Sequence, residues 1–143
     1  MNESDSERIA QVMREMACIP TGSAEEADLI ILNTCSVRDK AEQKVYSMLG
    51  RWRELKERRK GLIIGVGGCV AQQEGEFLLQ RVPYLDLVFG THNVHKLPQM
   101  VRDVQRRAAR PLELAFYRDP FYLENPGGRS EVRGTKAYVT IMQ

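Results

Sequence analysis

The sequence lacks any apolar run long enough to cross a bilayer. Its longest apolar runs are interrupted by Asn33 and Gly67, well short of the roughly 20 residues that a membrane-spanning helix needs. The N-terminus is polar and has no apolar core of the kind found in secretory signals. These absences exclude the membrane-spanning and secreted classes and predict a cytoplasmic protein.

The chain also has few cysteines and a small net charge. Three cysteines among 143 residues are too few, and odd in number, for the disulfide framework of a secreted domain. Reduced thiols or metal ligands are the remaining interpretations. A formal charge of +2 is too small to indicate nucleic-acid binding by itself. One local basic cluster is typical of the solvated end of a helix: Arg102, Arg106, Arg107 and Arg110.

Two of the three cysteines each close an apolar run that predicts a buried strand. Cys35 ends the run that starts at Leu29, and Cys69 ends the run that starts at Leu62. If the two strands are parallel neighbours, both thiols lie at the carboxyl ends of the strands, where open α/β sheets bind ligands. That arrangement suits a shared metal.

Helical and strand patterns alternate along the chain. Ser4 and Glu7 match a capping box that begins a helix ending near Ala17, and Asp39 caps a longer helix. Further patterns predict strands over 27–32, 62–66 and 85–89, and helices over 74–81 and 98–107. Strand–helix–strand alternation predicts an α/β fold, a Rossmann-like parallel sheet with flanking helices and right-handed crossovers.

The helix after Cys35 is amphipathic. Its apolar stripe consists of Val45, Met48, Leu49, Trp52 and Leu55. Its solvated face is predicted to contain Arg51, Arg53, Lys56, Arg58, Arg59 and Lys60. Trp52, together with Met13, Met16 and Met48, is best interpreted as core.

Both ends of the chain predict that it is cut from something larger. Three parallel strands make a thin sheet, and the first helix has no strand before it. After Pro111 a turn-rich linker leads to an apolar strand over 137–142. We expect residues 1–110 to form an α/β domain that lacks its first strand, and residues 111–143 to be a linker and one strand of a second unit.

The sequence around the cysteines resembles that of the radical-SAM tRNA methylthiotransferase family. Asn33-Thr34-Cys35-Ser36-Val37-Arg38, continued by Lys40-Ala41-Glu42-Gln43-Lys44-Val45, is similar to the family's second cysteine motif, and Gly67-Gly68-Cys69-Val70-Ala71-Gln72 to its third. Weaker similarity includes Gly90-Thr91-His92-Asn93 and Tyr138 to Gln143. Within the family, Ser36-Val37-Arg38 and Ala41-Glu42-Gln43-Lys44 are most similar to the branch that methylthiolates isopentenyl-modified adenosine in tRNA.

The resemblance implies a three-part enzyme. Its N-terminal domain has an auxiliary 4Fe-4S cluster on three cysteines, a radical-SAM barrel has a second 4Fe-4S cluster with SAM, and a C-terminal module binds RNA. This chain resembles the first part, with Cys35 and Cys69 as two cluster ligands and the third ligand in a motif that would precede Met1. The barrel's Cys-x-x-x-Cys-x-x-Cys motif is not in the sequence, so we expect the polypeptide alone to be inactive and to have no catalytic residue. Implied partners are tRNA and a sulfur donor.

The chemistry of the residues fits those two ligands. Iron of this cluster type prefers thiolate sulfur, and a three-cysteine site leaves one iron open for a sulfur donor. Gly65, Gly67 and Gly68 are interpreted as letting backbone approach a bulky cluster. Without the motif wording, two buried apolar thiols would explain the pattern as well.

The remaining cysteine, the two histidines and the glycine run allow other interpretations. Cys18 ends an amphipathic helix and is interpreted as a packing residue. His92 and His95 could join Cys35 and Cys69 in a zinc site, although loop histidines are more often structural. Gly65-Val66-Gly67-Gly68 fails the dinucleotide fingerprint because Val70 replaces the last glycine.

Two alternative functions remain open at the level of sequence: a stand-alone α/β nucleotide-binding module and a thiol redox module. A sheet without its first strand would also expose unpaired backbone, which predicts association through that edge. The strand over 137–142 is a candidate to fill the gap.

Overall fold

The computed structural model describes residues 2–34, 41–106, 112–113 and 136–141. Four α-helices occur in these ranges: α1 (Asn2–Glu15), α2 (Ala41–Arg58), α3 (Cys69–Arg81) and α4 (Leu97–Gln105). The strands there are β1 (Ile19–Pro20), β2 (Leu29–Thr34), β3 (Ile63–Gly68), β4 (Leu87–Phe89), β5 (Leu112–Glu113) and β6 (Lys136–Ile141). Short 3-10 helices cover Ala24–Glu26 and Thr91–Lys96.

Within the described part of the chain, all strands form one parallel sheet in the order β1-β6-β2-β3-β4-β5. The central pair is in register from Leu29 opposite Ile63 to Thr34 opposite Gly68. The predicted α/β class with a parallel sheet is therefore confirmed. No helix in the described ranges is long and apolar enough to span a membrane.

The central strands β2, β3 and β4 are buried on both faces, as strands of parallel sheets are. Ile30 and Leu32 point into the core formed with α2 and α3, whereas Leu29 and Ile31 point into the core formed with α1 and α4. The predicted core residues agree: Met13, Met16 and Trp52 are buried, and Met48 packs at the edge.

The strand near the end of the sequence lies inside the sheet. Strand β6 inserts between β1 and β2, and its pairing with β2 runs from Ala137 opposite Leu29 to Ile141 opposite Asn33. The strand predicted over 137–142 is thus confirmed as part of the sheet, and its role as a replacement for a missing strand stays a prediction. The division between residues 110 and 111 stays a prediction, as does association through a sheet edge.

Several element boundaries differ from the predicted ones. Helix α1 begins at Asn2, so Ser4 lies inside the helix and the predicted capping box is wrong. Helix α3 begins at Cys69 instead of Glu74, because the turn before it is made by Gly68 alone. The predicted cap Asp39 lies outside the described residues.

Two basic residues that were predicted on the solvated face, Lys56 of α2 and Arg59 just after it, form ion pairs with residues beside the strands. Lys56 pairs with Asp86, and both side chains are 18% exposed. Arg59 pairs with Asp28 at 2.7 Å and donates to the carbonyl of Ala27. Their partners lie at the amino edge of the sheet, so these two cations tie α2 to the strands.

Candidate functional site

The two cysteines were predicted to lie at the carboxyl ends of β2 and β3. Thr34 and Gly68 are the last paired residues, and Cys69 follows Gly68 directly. Cys35 follows Thr34 in the sequence and lies outside the described residues. The structure meets the condition on which the shared site depends, since β2 and β3 are parallel neighbours; the proximity of the two thiols stays a prediction.

Cys69 is the first residue of α3 and a free, half-buried thiol. The chain turns from β3 into α3 at Gly68, whose φ of 97° lies in a region that residues with a side chain rarely adopt. A Cβ at Gly68 would lie 2.1 Å from the carbonyl oxygen of Thr34. The backbone just before Cys69 therefore touches the end of β2 with no room for a side chain.

Two other glycines pack against β4. A Cβ at Gly67 would lie 2.4 Å from the ring of Phe89, and one at Gly65 would lie 2.5 Å from the side chain of Leu87. Both positions face large side chains of β4, which fill the space. Packing against β4 thus explains Gly65 and Gly67, and their predicted role in letting backbone approach a cluster stays a prediction.

Buried polar side chains surround the same edge. The Thr34 hydroxyl donates to the carbonyl oxygen of Gly67 at 2.7 Å, and the Asn33 amide donates to the Ser6 hydroxyl of α1 at 2.7 Å. Asn33 and Thr34 are each 1% exposed, and Ser6 is 7% exposed. The sequence analysis did not single out these bonds, although two polar residues at the end of an apolar strand were a signal for them.

Gln72 connects the first turn of α3 to the chain after β4. A Cβ at Gly90 would lie 1.7 Å from Oε1 of Gln72 and 3.4 Å from Nδ2 of Asn93, so both amide side chains lie against Gly90. Asn93 is fully buried and its backbone N–H donates to the Gly90 carbonyl at 3.0 Å. The turn after β4 is thus packed against the helix that begins with Cys69.

We expect Gly90→Ala to lower the free energy of unfolding by about 1–2 kcal/mol, because the new methyl group displaces the Gln72 side chain. Urea denaturation measures the change. The Gly90→Ala/Gln72→Ala double variant is the control: with the obstacle gone, it should lose less stability than the sum of the two single variants. Strict additivity would contradict the proposed clash.

The two histidines lie after β4. His92 is exposed and His95 is half-buried, and Nδ1 of His95 lies 3.1 Å from the carbonyl oxygen of His92. Among the described residues, no group of three or more His, Cys, Asp or Glu side chains is arranged to hold a metal ion. The zinc interpretation gains no support from this geometry.

Cys18 is buried in the core beside α1 at 6% exposure, as its predicted packing role requires. Burial raises the pKa of its thiol above the ordinary value. Cys18 is therefore less accessible than Cys69, and its thiol is harder to ionise than an ordinary one.

Iodoacetamide at pH 8 is expected to modify Cys69 roughly tenfold or more faster than Cys18, because the thiolate is the reacting form and Cys18 is shielded. Mass spectrometry of the two peptides over time gives the rates. In denaturant the two rates should converge. Equal rates in the folded chain would show that Cys18 is not held in the core.

The basic cluster is only partly described. Arg102 is half-buried and donates to Oε1 of Gln99 at 3.0 Å, and Arg106 is exposed. Arg107 and Arg110 lie outside the described residues. The contact of Arg102 with its own helix agrees with an ordinary helix end.

The chain is similar to curated proteins over its whole length. A family model described as "Uncharacterized protein family UPF0004" matches residues 1–90. Proteins named tRNA-2-methylthio-N(6)-dimethylallyladenosine synthase from Geobacter sulfurreducens and Geobacter metallireducens are 53% and 55% identical to it, covering 100% of this chain and 32% of their own length. The same-named protein of Dichelobacter nodosus is 46% identical, with 31% of its length covered. The chain thus spans about a third of the length of these relatives.

Proposed function

Because the chain belongs to the UPF0004 family, we propose that it is part of a tRNA methylthiotransferase. The complete enzyme would add a methylthio group to C2 of N6-isopentenyladenosine next to the tRNA anticodon. Such a substrate also favours a cytoplasmic location. The similarity to enzymes with this substrate in their name, over all of the chain, supports the proposal.

Within that enzyme, we assign Cys35 and Cys69 as two thiolate ligands of an auxiliary 4Fe-4S cluster. The supporting observation is the parallel register of β2 and β3, which ends at Thr34 and Gly68, one residue before each cysteine. Cys69 fits a ligand position, since it is a free thiol that is neither fully buried nor bonded in a disulfide. Cys18 does not fit, since it is packed in the core.

A 4Fe-4S cluster held by three cysteines supplies an open iron where a sulfur donor can bind. The part that this chain plays is to hold the site rigidly at the edge of the sheet. Gly68 brings the backbone of β3 against the end of β2, and Gln72 holds the first turn of α3 against Gly90. The proposal assigns SAM cleavage to a second cluster on residues outside this sequence.

Anaerobic reconstitution of the chain with iron, sulfide and a small thiol tests the assignment. We expect the wild type and the matched control Cys18→Ala to bind equal amounts of iron and acid-labile sulfide. The iron and sulfide contents of Cys35→Ala and Cys69→Ala should each fall to background, because each variant retains only one of the two protein thiols assigned as ligands.

Two results would reject the assignment. The first is iron and sulfide retained by both single variants, and the second is no uptake by the wild type. Nucleotide binding by the chain that is unaffected by either cysteine variant, combined with no uptake, would favour the stand-alone binding module instead.

A further inference from the structure

Two side-chain hydrogen bonds lie at the last rung of the β2–β3 ladder. Thr34, opposite Gly68 in the register, donates its hydroxyl proton to the carbonyl oxygen of Gly67 at 2.7 Å. Asn33, one residue earlier, donates from Nδ2 to the hydroxyl of Ser6 at 2.7 Å. The first bond joins β2 to β3, and the second joins β2 to α1.

Both hydrogen bonds are strengthened by their buried surroundings. Asn33 and Thr34 are almost completely buried, and hydrogen bonds in such surroundings are not weakened by competing water. They also add to the backbone ladder at its end, where pairing frays first because there is no next rung. The relative position of the two strand ends therefore depends on these side chains.

Asn33 also contacts the residue that precedes Cys69. Its Oδ1 lies 2.8 Å from the place where a Cβ of Gly68 would be, and the Thr34 carbonyl oxygen lies 2.1 Å from the same place. A sideways shift of the end of β2 would move these atoms into or away from Gly68. The position of Cys69 is thus coupled through one residue to Asn33 and Thr34.

We propose that Asn33 and Thr34 are positioning residues, which set where Cys69 stands relative to the end of β2 through the Thr34–Gly67 and Asn33–Ser6 hydrogen bonds. This inference rests on the proposed function, in which Cys69 and the cysteine after Thr34 are ligands of one cluster. It assigns no ligand role to Asn33, Thr34 or Ser6 themselves.

Bridging of two thiols by a trivalent phenylarsenical in the metal-free chain measures the effect. The reagent forms two As–S bonds and releases two waters, so its affinity depends on how closely the thiols approach. In a Cys18→Ala background, Thr34→Val is expected to bind about tenfold more weakly than its parent, the loss that matches one buried hydrogen bond. Thr34→Ser keeps the hydroxyl and should bind as tightly as the parent.

Ser6→Ala provides a second test. Alanine is a better helix former than serine, so this change in α1 offsets part of the stability that the lost bond costs. We expect weaker arsenical binding with little change in the thermal midpoint, a result that a merely structural role would not give. Ser47→Ala is the control, because it also removes a serine hydroxyl from a helix, an exposed one of α2 that donates to the carbonyl of Gln43 at 2.8 Å.

The outcomes separate this inference from the proposed function. If Thr34→Val and Ser6→Ala bind the arsenical as tightly as the parent, the positioning role is rejected while the thiol pair stands. If the parent binds no more tightly than Cys35→Ala or Cys69→Ala, the two thiols do not approach, and both the thiol pair and the positioning role are rejected.

Discussion

Gly68→Ala is expected to lower the free energy of unfolding by about 3–5 kcal/mol, the combined cost of a strained backbone and an overpacked contact. The φ of 97° is poorly accessible to alanine, and the new Cβ would lie 2.1 Å from the carbonyl oxygen of Thr34. That oxygen belongs to the backbone of a central strand, so it cannot move aside as a flexible side chain would. Urea denaturation measures the loss.

Gly50→Ala is the matched control for this substitution. A Cβ at Gly50 meets nothing within 4 Å, and the residue is exposed within α2. Alanine there should stabilise the chain by about 0.5–1 kcal/mol, because glycine is unfavourable inside a helix. A Gly68→Ala variant within 1 kcal/mol of the wild type would contradict the strained turn.

The sequence allowed the prediction of those features that depend on local pattern. The apolar runs ending in Asn33-Thr34 and Gly67-Gly68 predicted two buried strands of a parallel sheet, which the structure confirms, and the register shows that they are neighbours. The start of α3 was predicted at Glu74, whereas the helix begins at Cys69. Only the structure shows that Gly68 alone makes the turn.

Features that depend on distant partners could not be predicted in this way. Strand β6 begins at Lys136, and its backbone N–H donates to Asp28, a residue 108 positions earlier. The bond between Asn33 and Ser6 joins residues 27 positions apart. A helical pattern gives the side of a helix on which a residue lies, but not what another element brings to that side.

Lys56 is the clearest example of this limit. Its spacing in α2 placed it among solvated basic residues, whereas the structure places its ammonium 2.5 Å from Oδ2 of Asp86, 30 positions away. Lys56 also donates to the carbonyl of Leu62, and Asp86 accepts from the backbone N–H of Ile64 at 2.8 Å. One ion pair thus joins α2, β3 and the chain before β4.

Asp86→Ala is expected to lower the free energy of unfolding by about 2–4 kcal/mol, because it removes a charge partner and a hydrogen-bond acceptor together. The ammonium of Lys56, 18% exposed, would lose its carboxylate, and the Ile64 N–H would lose its acceptor. Arg53→Ala is the control, since its pair with Glu57 is about two-thirds exposed and should contribute at most about 0.5 kcal/mol.

The Lys56→Met/Asp86→Asn double variant separates the two parts of that loss. Methionine retains most of the apolar length of lysine, and asparagine retains an oxygen for the Ile64 N–H while removing the charge. We expect the double variant to unfold at a higher urea concentration than Asp86→Ala, because no unpaired charge is left in the partly buried position. If the double variant is as unstable as Asp86→Ala, the packing of these side chains, and not the pairing of their charges, holds α2 on the sheet.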